Sequence, residues 1–194
     1  INSLTRACEQ LGLSYRFFDA EKNLLQVAFP WGVEYFQINK TPFNREVIMG
    51  LFRDKKHTYD LLNSCINMPK TQSFLDFEVP PEYRHYCHHQ SIPEMVASVT
   101  TEFDLPVVVK CNAGALGIGV YLCNNEQDVA QAFGNIFDKN SKDYDYLALA
   151  QAFIPTQTEY RLVCAFGEPV LAYQRGNANG FNARYWDRNE IATH

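Results

Sequence analysis

Lys110 stands between an apolar run and a glycine-rich run, an arrangement suited to holding phosphates. The residues before it, 105–109, are apolar and three of them are valine, which predicts a buried strand. After it come Gly114, Gly117 and Gly119, whose missing side chains let backbone N–H groups approach phosphate oxygens. An ammonium group together with backbone amides is complementary to a polyphosphate. These residues therefore indicate nucleotide chemistry.

The spacing around Lys110 differs from that of two common phosphate-binding motifs. In a Walker loop the lysine follows the glycines and opens a helix, whereas Lys110 precedes them. A dinucleotide fingerprint needs Gly-x-Gly-x-x-Gly, and this chain has the reverse spacing at 114, 117 and 119. Residues 118–123 are again largely apolar, so the glycine loop is predicted to join two strands. An ordinary glycine hairpin with a surface lysine is the alternative interpretation of the same pattern.

Length and composition narrow the class of protein. The 194 residues are 46% hydrophobic, enough for one large or two small domains with a packed core. The net charge of −5 argues against a general nucleic-acid binder. No apolar run reaches the roughly 18 residues that span a membrane. The six cysteines are scattered without a Cys-x-x-Cys pair, which favours reduced thiols in a cytoplasmic protein.

Residues 85–89, His-Tyr-Cys-His-His, contain four side chains that could bind a metal. The segment lies between a Pro-Pro pair and Ser91, which predicts a loop. The adjacent His88 and His89 point in different directions on any regular backbone, and the sequence has no second ligand cluster. A plain polar loop is therefore favoured over a structural metal site.

The elements that position Lys110 follow from periodicity and from turn residues. Asp54 and Ser91 are the predicted N-caps of two helices. Helices are predicted over 3–11, 45–53, 54–62, 91–103 and 126–137. Strands are predicted over 15–19, 24–29, 34–38, 105–110, 118–123, 146–154, 160–166 and 170–174, and an extended segment over 70–79. The glycine- and asparagine-rich run over 176–194 predicts a mobile loop.

In this order, the elements and short motifs resemble the ATP-grasp superfamily, and within it the amino-acid and peptide ligases similar to glutathione synthetase. The resemblance runs from about Thr41 to Arg175. It rests on the order and spacing of short motifs. These are Arg53-Asp54-Lys55, Met68-Pro69-Lys70-Thr71, Val108-Val109-Lys110, Gly114-x-x-Gly117-x-Gly119-Val120, Gln151-Ala152-Phe153-Ile154 and Glu159-Tyr160-Arg161.

The resemblance implies an α/β (α+β) ATP-grasp fold that is truncated before its last strands and preceded by part of another α/β domain. Residues 1–44 are expected to be the remnant of that preceding domain, and residues 45–80 to be linking helices and a strand. Residues 81–150 correspond to the small lobe with its glycine flap. Residues 151–194 correspond to the incomplete start of the large lobe.

The resemblance also assigns roles to the matching residues. Lys55 and Lys110 are expected to bind the phosphates of ATP. Gly114 and Gly117 are expected to lie in a flexible flap over the triphosphate, where backbone amides bind without side chains.

The segment Gln151-Ala152-Phe153-Ile154 resembles the hinge strand of the family. There the carbonyl group of Ala152 and the amide of Ile154 are expected to pair with the adenine edge. The side chain of Phe153 is then expected to belong to the core.

Three charged residues complete the expected site. Glu159 is expected to accept the ribose hydroxyls, because an ionised carboxylate is only an acceptor, although a surface acid is the alternative. Arg161 shares a strand face with Glu159 and is counted among the nucleotide-binding residues, or it simply pairs with that acid. Arg175 is expected near the transferred phosphoryl group or the acceptor, as the catalytic residue.

The sequence departs from the family in the flap and in the hinge. Ala113, Ala115 and Leu116 stand where the family usually carries polar or acidic residues. Amide contacts with phosphate survive such a change, whereas side-chain contacts do not. In the hinge, Ala152 stands where an acid often follows the glutamine.

A third departure concerns magnesium. The family ligates it through an acid and a later Glu-x-Asn pair on its last strands. Asp187 and Glu190 do not match that pattern, so no metal ligand is assigned in this chain, and the ligands are expected beyond His194.

The implied activity is ATP-dependent carboxylate–amine ligation through an acyl-phosphate intermediate, acting on an amino acid or a peptide, with ATP and magnesium as cofactors. The expected partners are ATP and a small carboxylate and amine pair, without nucleic acid or membrane, and a homo-oligomer is left open. The alternative is a non-catalytic or regulatory ATP-binding module, which the apolar flap favours. A structural domain without any ligand is the third interpretation.

Overall fold

The computed structural model describes residues 1–38, 40–156 and 158–175. The chain divides into two compact units, one over Ile1–Leu51 and one that begins at Phe52. None of the helices in the described part of the chain combines the length and the apolar character needed to cross a bilayer. The predicted loop over 176–194 lies outside the described residues.

The first unit is a helix packed on a small antiparallel sheet. Helix α1 (Asn2–Leu11) ends at Gly12, whose φ of 64° is in the left-handed region that glycine adopts readily. Strands β1 (Tyr15–Phe17), β2 (Leu24–Phe29) and β3 (Gly32–Gln37) pair in the order β1-β2-β3. The core of this unit is formed by Cys8, Leu25, Val27 and Phe36.

The second unit contains a four-stranded sheet and a separate hairpin. Its helices are α3 (Lys55–Leu62), a 3₁₀ helix (Pro81–Tyr86), α4 (Ile92–Glu102) and α5 (Glu126–Ile136), and α2 (Glu46–Arg53) precedes them. Its strands are β4 (Thr71–Leu75), β5 (Val107–Cys111), β6 (Val120–Cys123), β7 (Leu147–Ala152), β8 (Glu159–Ala165) and β9 (Glu168–Arg175). The sheet has the order β4-β7-β5-β6 with every neighbouring pair antiparallel, and β8 pairs with β9.

Polar side chains begin the helices of this unit, as predicted for α3 and α4. The carboxylate of Asp54 accepts a hydrogen bond from the backbone N–H of His57 at 2.8 Å, and the hydroxyl of Ser91 accepts one from the N–H of Glu94 at 3.4 Å. Such caps satisfy N–H groups that the first turn of a helix leaves without a partner. Helix α3 is therefore fixed at its start, directly before Lys55.

The two faces of the four-stranded sheet differ in character because side chains alternate along each strand. One face packs against α4 and α5 and forms the core of the unit. Its buried members are Phe74, Val107, Val109, Cys111, Cys123, Ala148 and Ala150 from the strands, together with Met95, Val99, Val129 and Phe133 from the helices. Lys110 and Gln151 alternate with these residues and therefore lie on the opposite, open face.

Several predicted boundaries are wrong. The strand predicted over 146–154 ends at Ala152, so Phe153 follows it and is half-buried instead of belonging to the core. The extended segment over 70–79 ends at Leu75, because the buried side chain of Asp76 turns back and accepts the N–H of Glu78 at 2.9 Å. The loop predicted at 85–89 begins inside the 3₁₀ helix.

Candidate functional site

Lys110 is held on the open face of the sheet by a chain of hydrogen bonds. Its Nζ donates to Oε1 of Gln151 on the neighbouring strand at 2.8 Å. Nε2 of the same amide donates to Oγ1 of Thr71 at 2.8 Å, and that hydroxyl donates to the carbonyl group of Pro69 at 2.9 Å. The ammonium is half-buried at the end of this chain. It is therefore fixed against the protein and does not extend into bulk solvent.

Lys55 connects helix α3 to the glycine loop. It is the first residue of α3, and its Nζ donates to the carbonyl groups of Asn112 at 2.8 Å and Gly114 at 2.5 Å. Since an ammonium has three N–H donors, one of them is left for a further acceptor. The two predicted lysines thus come from different elements: Lys55 is bonded to the loop, and Lys110 lies on β5 just before it.

The electrostatic environment of the two lysines favours an anion. Burial, and secondly the positive charge of Lys55, lower the pKa of Lys110 to about 8. Burial also lowers the pKa of Lys55, and the carboxylate of Asp145 opposes that shift. Two ammonium groups held close together repel each other, and a polyanion placed against both would offset that repulsion.

The glycine loop, residues 112–119, requires glycine at defined positions. Gly117 and Gly119 have φ values of 72° and 64°, in the left-handed region, and Leu116 has a φ of 59°. A Cβ atom on Gly119 would overlap the sulfur of Cys111, and one on Gly114 would lie 3.0 Å from the carbonyl oxygen of Ile118. The backbone of this loop therefore folds closely on itself in a way that larger residues would not allow.

Two buried polar residues that sequence reasoning did not identify hold the base of the loop. Asn112, 3% exposed, accepts the N–H of Lys56 with its Oδ1 at 2.8 Å and donates its own N–H to the carbonyl group of Leu147 at 3.1 Å. Asp145, 8% exposed, accepts the N–H groups of Ala113 at 2.8 Å and Leu147 at 3.1 Å. Their signal in the sequence is weak: an Asn and an Asp beside apolar runs, where both residues commonly bind backbone groups.

The predicted hinge lies at the end of β7. Gln151 and Ala152 are the last two residues of that strand, and Ala152 donates its N–H to the carbonyl group of Lys70 at 2.9 Å. Phe153 and Ile154 follow the strand, and the side chain of Ile154 is exposed. Gln151 is therefore brought to Lys110, while adenine recognition by the following residues stays a prediction.

The remaining predicted residues lie on the β8–β9 hairpin. Glu159, the first residue of β8, is directly opposite Arg175, the last residue of β9. Arg161 is opposite Tyr173, and two-residue alternation places Arg161 on the same face as Glu159. The predicted site is thus divided between two regions. Lys110 on the four-stranded sheet and Lys55 at the start of α3 form one, and this hairpin, with Glu159, Arg161 and Arg175, forms the other.

A cavity of about 1200 Å³ lies on the open face of the sheet, where Ser73, Leu75 and Leu147 line it. A smaller cavity of about 430 Å³ lies beside the glycine loop. Tyr144 and Tyr146 line both. Across the described ranges, no three His, Cys, Asp or Glu side chains are grouped so that they could hold a metal ion. Asp187 and Glu190, the two acids that do not match the metal-ligand pattern of the family, lie outside those ranges.

Comparisons with known proteins connect this geometry to a family. The family model of the RimK-like ATP-grasp domain matches residues 79–186, more than half of the chain. The search of curated proteins gave no match.

Solved structures share the fold at low identity. A bifunctional glutathione synthetase from Pasteurella multocida is similar with a TM-score of 0.50 and 21% identity, over 90% of this chain and 21% of that one. A D-alanine–D-alanine ligase from Helicobacter pylori is similar with a TM-score of 0.51 and 11% identity, over 89% of this chain and 56% of that one. The chain thus spans about a fifth of the first structure and about half of the second. The predicted fold is confirmed, and the chain belongs to the RimK-like ATP-grasp family.

Proposed function

We propose that this chain binds ATP against Lys55, Lys110 and the amides of the glycine loop, as part of an ATP-dependent carboxylate–amine ligase. The observation that carries the proposal is that two half-buried lysines from separate elements lie beside one glycine loop. Lys55 donates to the carbonyl group of Gly114, and Lys110, held by Gln151 just before the loop, feels the charge of Lys55. A single surface lysine would not indicate a particular ligand. Two half-buried ammonium groups beside tightly folded glycines match the charge and the size of a polyphosphate.

The adenine and ribose are assigned to the other end of the sheet. The strand β7 runs from the glycine loop to Gln151 and Ala152, so a nucleotide lying along it would place its phosphates at the loop and its base at residues 151–154. The backbone groups of Ala152 and Ile154 are the proposed partners of the adenine edge. Glu159, five residues after Ile154, is the proposed acceptor of the ribose hydroxyls, and Arg161 on the same strand face is a further proposed nucleotide contact.

The proposed reaction needs charge neutralisation and positioning from the protein. An oxygen of the substrate carboxylate attacks the terminal phosphorus of ATP, the bond to the bridging oxygen breaks, and ADP leaves. The amine then attacks the acyl carbon, the bond to the phosphate oxygen breaks, and the amine loses a proton as phosphate leaves. Lys55 and Lys110 would offset the charge of the phosphates, and Arg175 is the proposed contact of the transferred group.

Magnesium is not assigned to residues of this chain. The donor set that a hard divalent cation prefers is a group of several oxygens, and the part of the chain that the structure describes does not supply such a group. We therefore derive no step through the metal.

An amino acid or a short peptide is the proposed substrate. The cavity of about 1200 Å³ on the open face has room for such a molecule. It is lined by tyrosines, among them Tyr83, Tyr86, Tyr144 and Tyr146, whose rings combine an apolar body with a polar hydroxyl.

The test measures ATP binding by calorimetry and ADP release in the presence of magnesium and a panel of amino acids and dipeptides. Lys110→Met is expected to weaken ATP binding by about 100-fold or more, because a buried charge pair with phosphate is lost. Lys40→Met is the control, since it removes an equal charge from an exposed residue of the first unit. Equal ATP affinity in the native chain and in Lys110→Met would refute the proposal.

A second candidate is a nucleotide-binding module without catalysis. The observation that favours it is the apolar flap, in which Leu116 is 60% exposed at a position that could otherwise carry a polar contact with the phosphates. This candidate predicts tight ATP binding that depends on Lys110, without ADP release for any pair of carboxylate and amine.

A further inference from the structure

Three side chains connect the base of the glycine loop to the rest of the second unit. Lys55 reaches it from α3, Asn112 lies within it, and Asp145 reaches it from the segment before β7. We call these three residues the loop clasp. Asn112 and Asp145 are buried, and the side chains of all three clasp residues bond to backbone groups.

The clasp determines which amides of the loop remain available to a ligand. The N–H of Asn112 is taken by the carbonyl group of Leu147, and the N–H of Ala113 is taken by Asp145. The amides that can bind phosphate therefore begin at Gly114. The carbonyl group of Gly114 is meanwhile turned toward Lys55, which orients the peptide units around it.

We propose that Asp145 is a positioning residue for the triphosphate, acting through the two backbone N–H groups that it accepts and through Lys55. This inference rests on the proposed function, because it assumes that the loop binds the phosphates of ATP. Asp145 does not contact the ligand in this proposal. It holds residues 112–114 against β7. The amides of the loop beyond them and the third N–H of Lys55 then face the same place, where the triphosphate is proposed to bind.

A positioning role and a direct electrostatic role of Asp145 predict opposite changes in ATP affinity when its charge is removed. A carboxylate close to a triphosphate repels it, so removing the negative charge would by Coulomb's law alone strengthen ATP binding. Positioning predicts the opposite sign. When Asp145 becomes Asn, one acceptor oxygen is replaced by an NH₂ group, which cannot accept the second N–H. The loop base then loses a buried hydrogen bond, and ATP binding weakens.

The experiment compares Asp145→Asn with Asp143→Asn in the full chain. The two substitutions remove equal charges two residues apart, but Asp143 is exposed. Affinities for ATP and for adenosine are measured by NMR titration, and backbone amide hydrogen exchange is measured without any nucleotide. Adenosine lacks the phosphates, so it reports on the base and ribose site alone.

Asp145→Asn is expected to weaken ATP binding by about tenfold and to leave adenosine affinity within about twofold. Exchange at Ala113 and Leu147 is expected to accelerate by about tenfold or more. Asp143→Asn is expected to change none of these quantities by more than about twofold. Because Asp145→Asn could lower stability, Lys55→Met serves as a second variant, with faster exchange expected at Asn112 and Ala113, whose amides are bonded in the native chain.

Three outcomes would overturn the inference. The first is unchanged exchange at Ala113 and Leu147, and the second is an equal loss of affinity for ATP and for adenosine, which indicates general disruption of the fold. Tighter ATP binding in Asp145→Asn would also overturn it, because a purely electrostatic effect would then dominate. If the native chain bound no ATP, the proposed function would fail and this inference with it. Faster exchange at Ala113 would even then support the clasp as a structural feature, so the two failures are distinguishable.

Discussion

The two regions that carry the predicted site differ in how far their side chains are fixed. In the first region, Lys110 on the four-stranded sheet and Lys55 at the start of α3 are half-buried, and each donates to a named acceptor. On the β8–β9 hairpin most side chains are exposed, including Tyr160 at 69% and Phe166 at 89%. The sheet is backed by two helices, and the hairpin pairs with itself in a sheet of two strands. The proposed phosphate-binding lysines therefore lie in the packed region of this chain.

This difference has an energetic meaning. A side chain that is buried and hydrogen-bonded resists displacement, and its replacement affects its partners as well. An exposed side chain contributes mainly its own contact with a ligand. Substitutions on the sheet should therefore change stability, protonation and ligand affinity together, whereas substitutions on the hairpin should change ligand affinity alone.

The largest effect on stability is expected from Gly119→Ala, which tests whether the packed region around the glycine loop is rigid. The added Cβ would overlap the sulfur of Cys111, and the φ of 64° strains any residue with a side chain. We expect the free energy of unfolding to fall by about 2–4 kcal/mol in urea denaturation.

Gly134→Ala is the matched control, because this exposed glycine lies within α5 and a Cβ there meets no atom within 4 Å. Alanine is expected to stabilise that helix by up to about 1 kcal/mol. A loss of similar size in both variants would show that the glycine loop is no more constrained than the surface of a helix.

An intermediate effect is expected in the dependence of stability on pH. Burial lowers the pKa of Lys110 to about 8 in the folded chain, whereas in the unfolded chain it is close to the ordinary lysine value of 10.5. Between these values the unfolded chain binds more protons, so Lys110 adds stability as the pH rises from about 8 toward 10. The expected gain is of the order of 1–3 kcal/mol.

Lys110→Met is expected to remove this rise, measured as the difference between the two pH profiles of the free energy of unfolding. Because the other lysines, the tyrosines and the cysteines titrate in both proteins, their contribution cancels when the profile of the variant is subtracted from that of the native chain. Superimposable profiles would mean that the ammonium is no less solvated in the folded chain than in the unfolded chain.

The smallest effect is expected from Arg161→Met on the hairpin. Because Arg161 is exposed, the free energy of unfolding should change by less than about 0.5 kcal/mol. ATP affinity should fall by less than about tenfold if the residue contacts the nucleotide in an open, solvated position. A loss of stability comparable to that of Gly119→Ala would remove the distinction between the two regions.

Local signals in the sequence were sufficient for the elements around the site. The valine run before Lys110 and the glycines after it predicted the strand–loop–strand unit, and Asp54 and Ser91 predicted two helix starts that the structure confirms. These features depend on residues close together in the chain, where propensity and capping dominate.

The clasp could not be predicted in the same way. Asp145 meets Ala113 across 32 positions, and Lys55 meets Gly114 across 59 positions. The contact of Asp145 with Ala113 follows from the insertion of β7 between β4 and β5, which brings the start of β7 beside the end of β5. The contact of Lys55 with Gly114 brings α3 to the same loop. An isolated acid before an apolar run does not by itself indicate a contact with a distant loop, since many surface acids have the same neighbours in sequence.

Strand β4 lies at the margin of its sheet, where a strand has a neighbour on one side alone. Its Thr71 hydroxyl is nevertheless the anchor of the amide that restrains Lys110 two strands away. Fraying of β4 would therefore release Lys110, the proposed phosphate contact, before the core opens. Heating should accordingly erode affinity at temperatures where the helices and the buried strands are still intact.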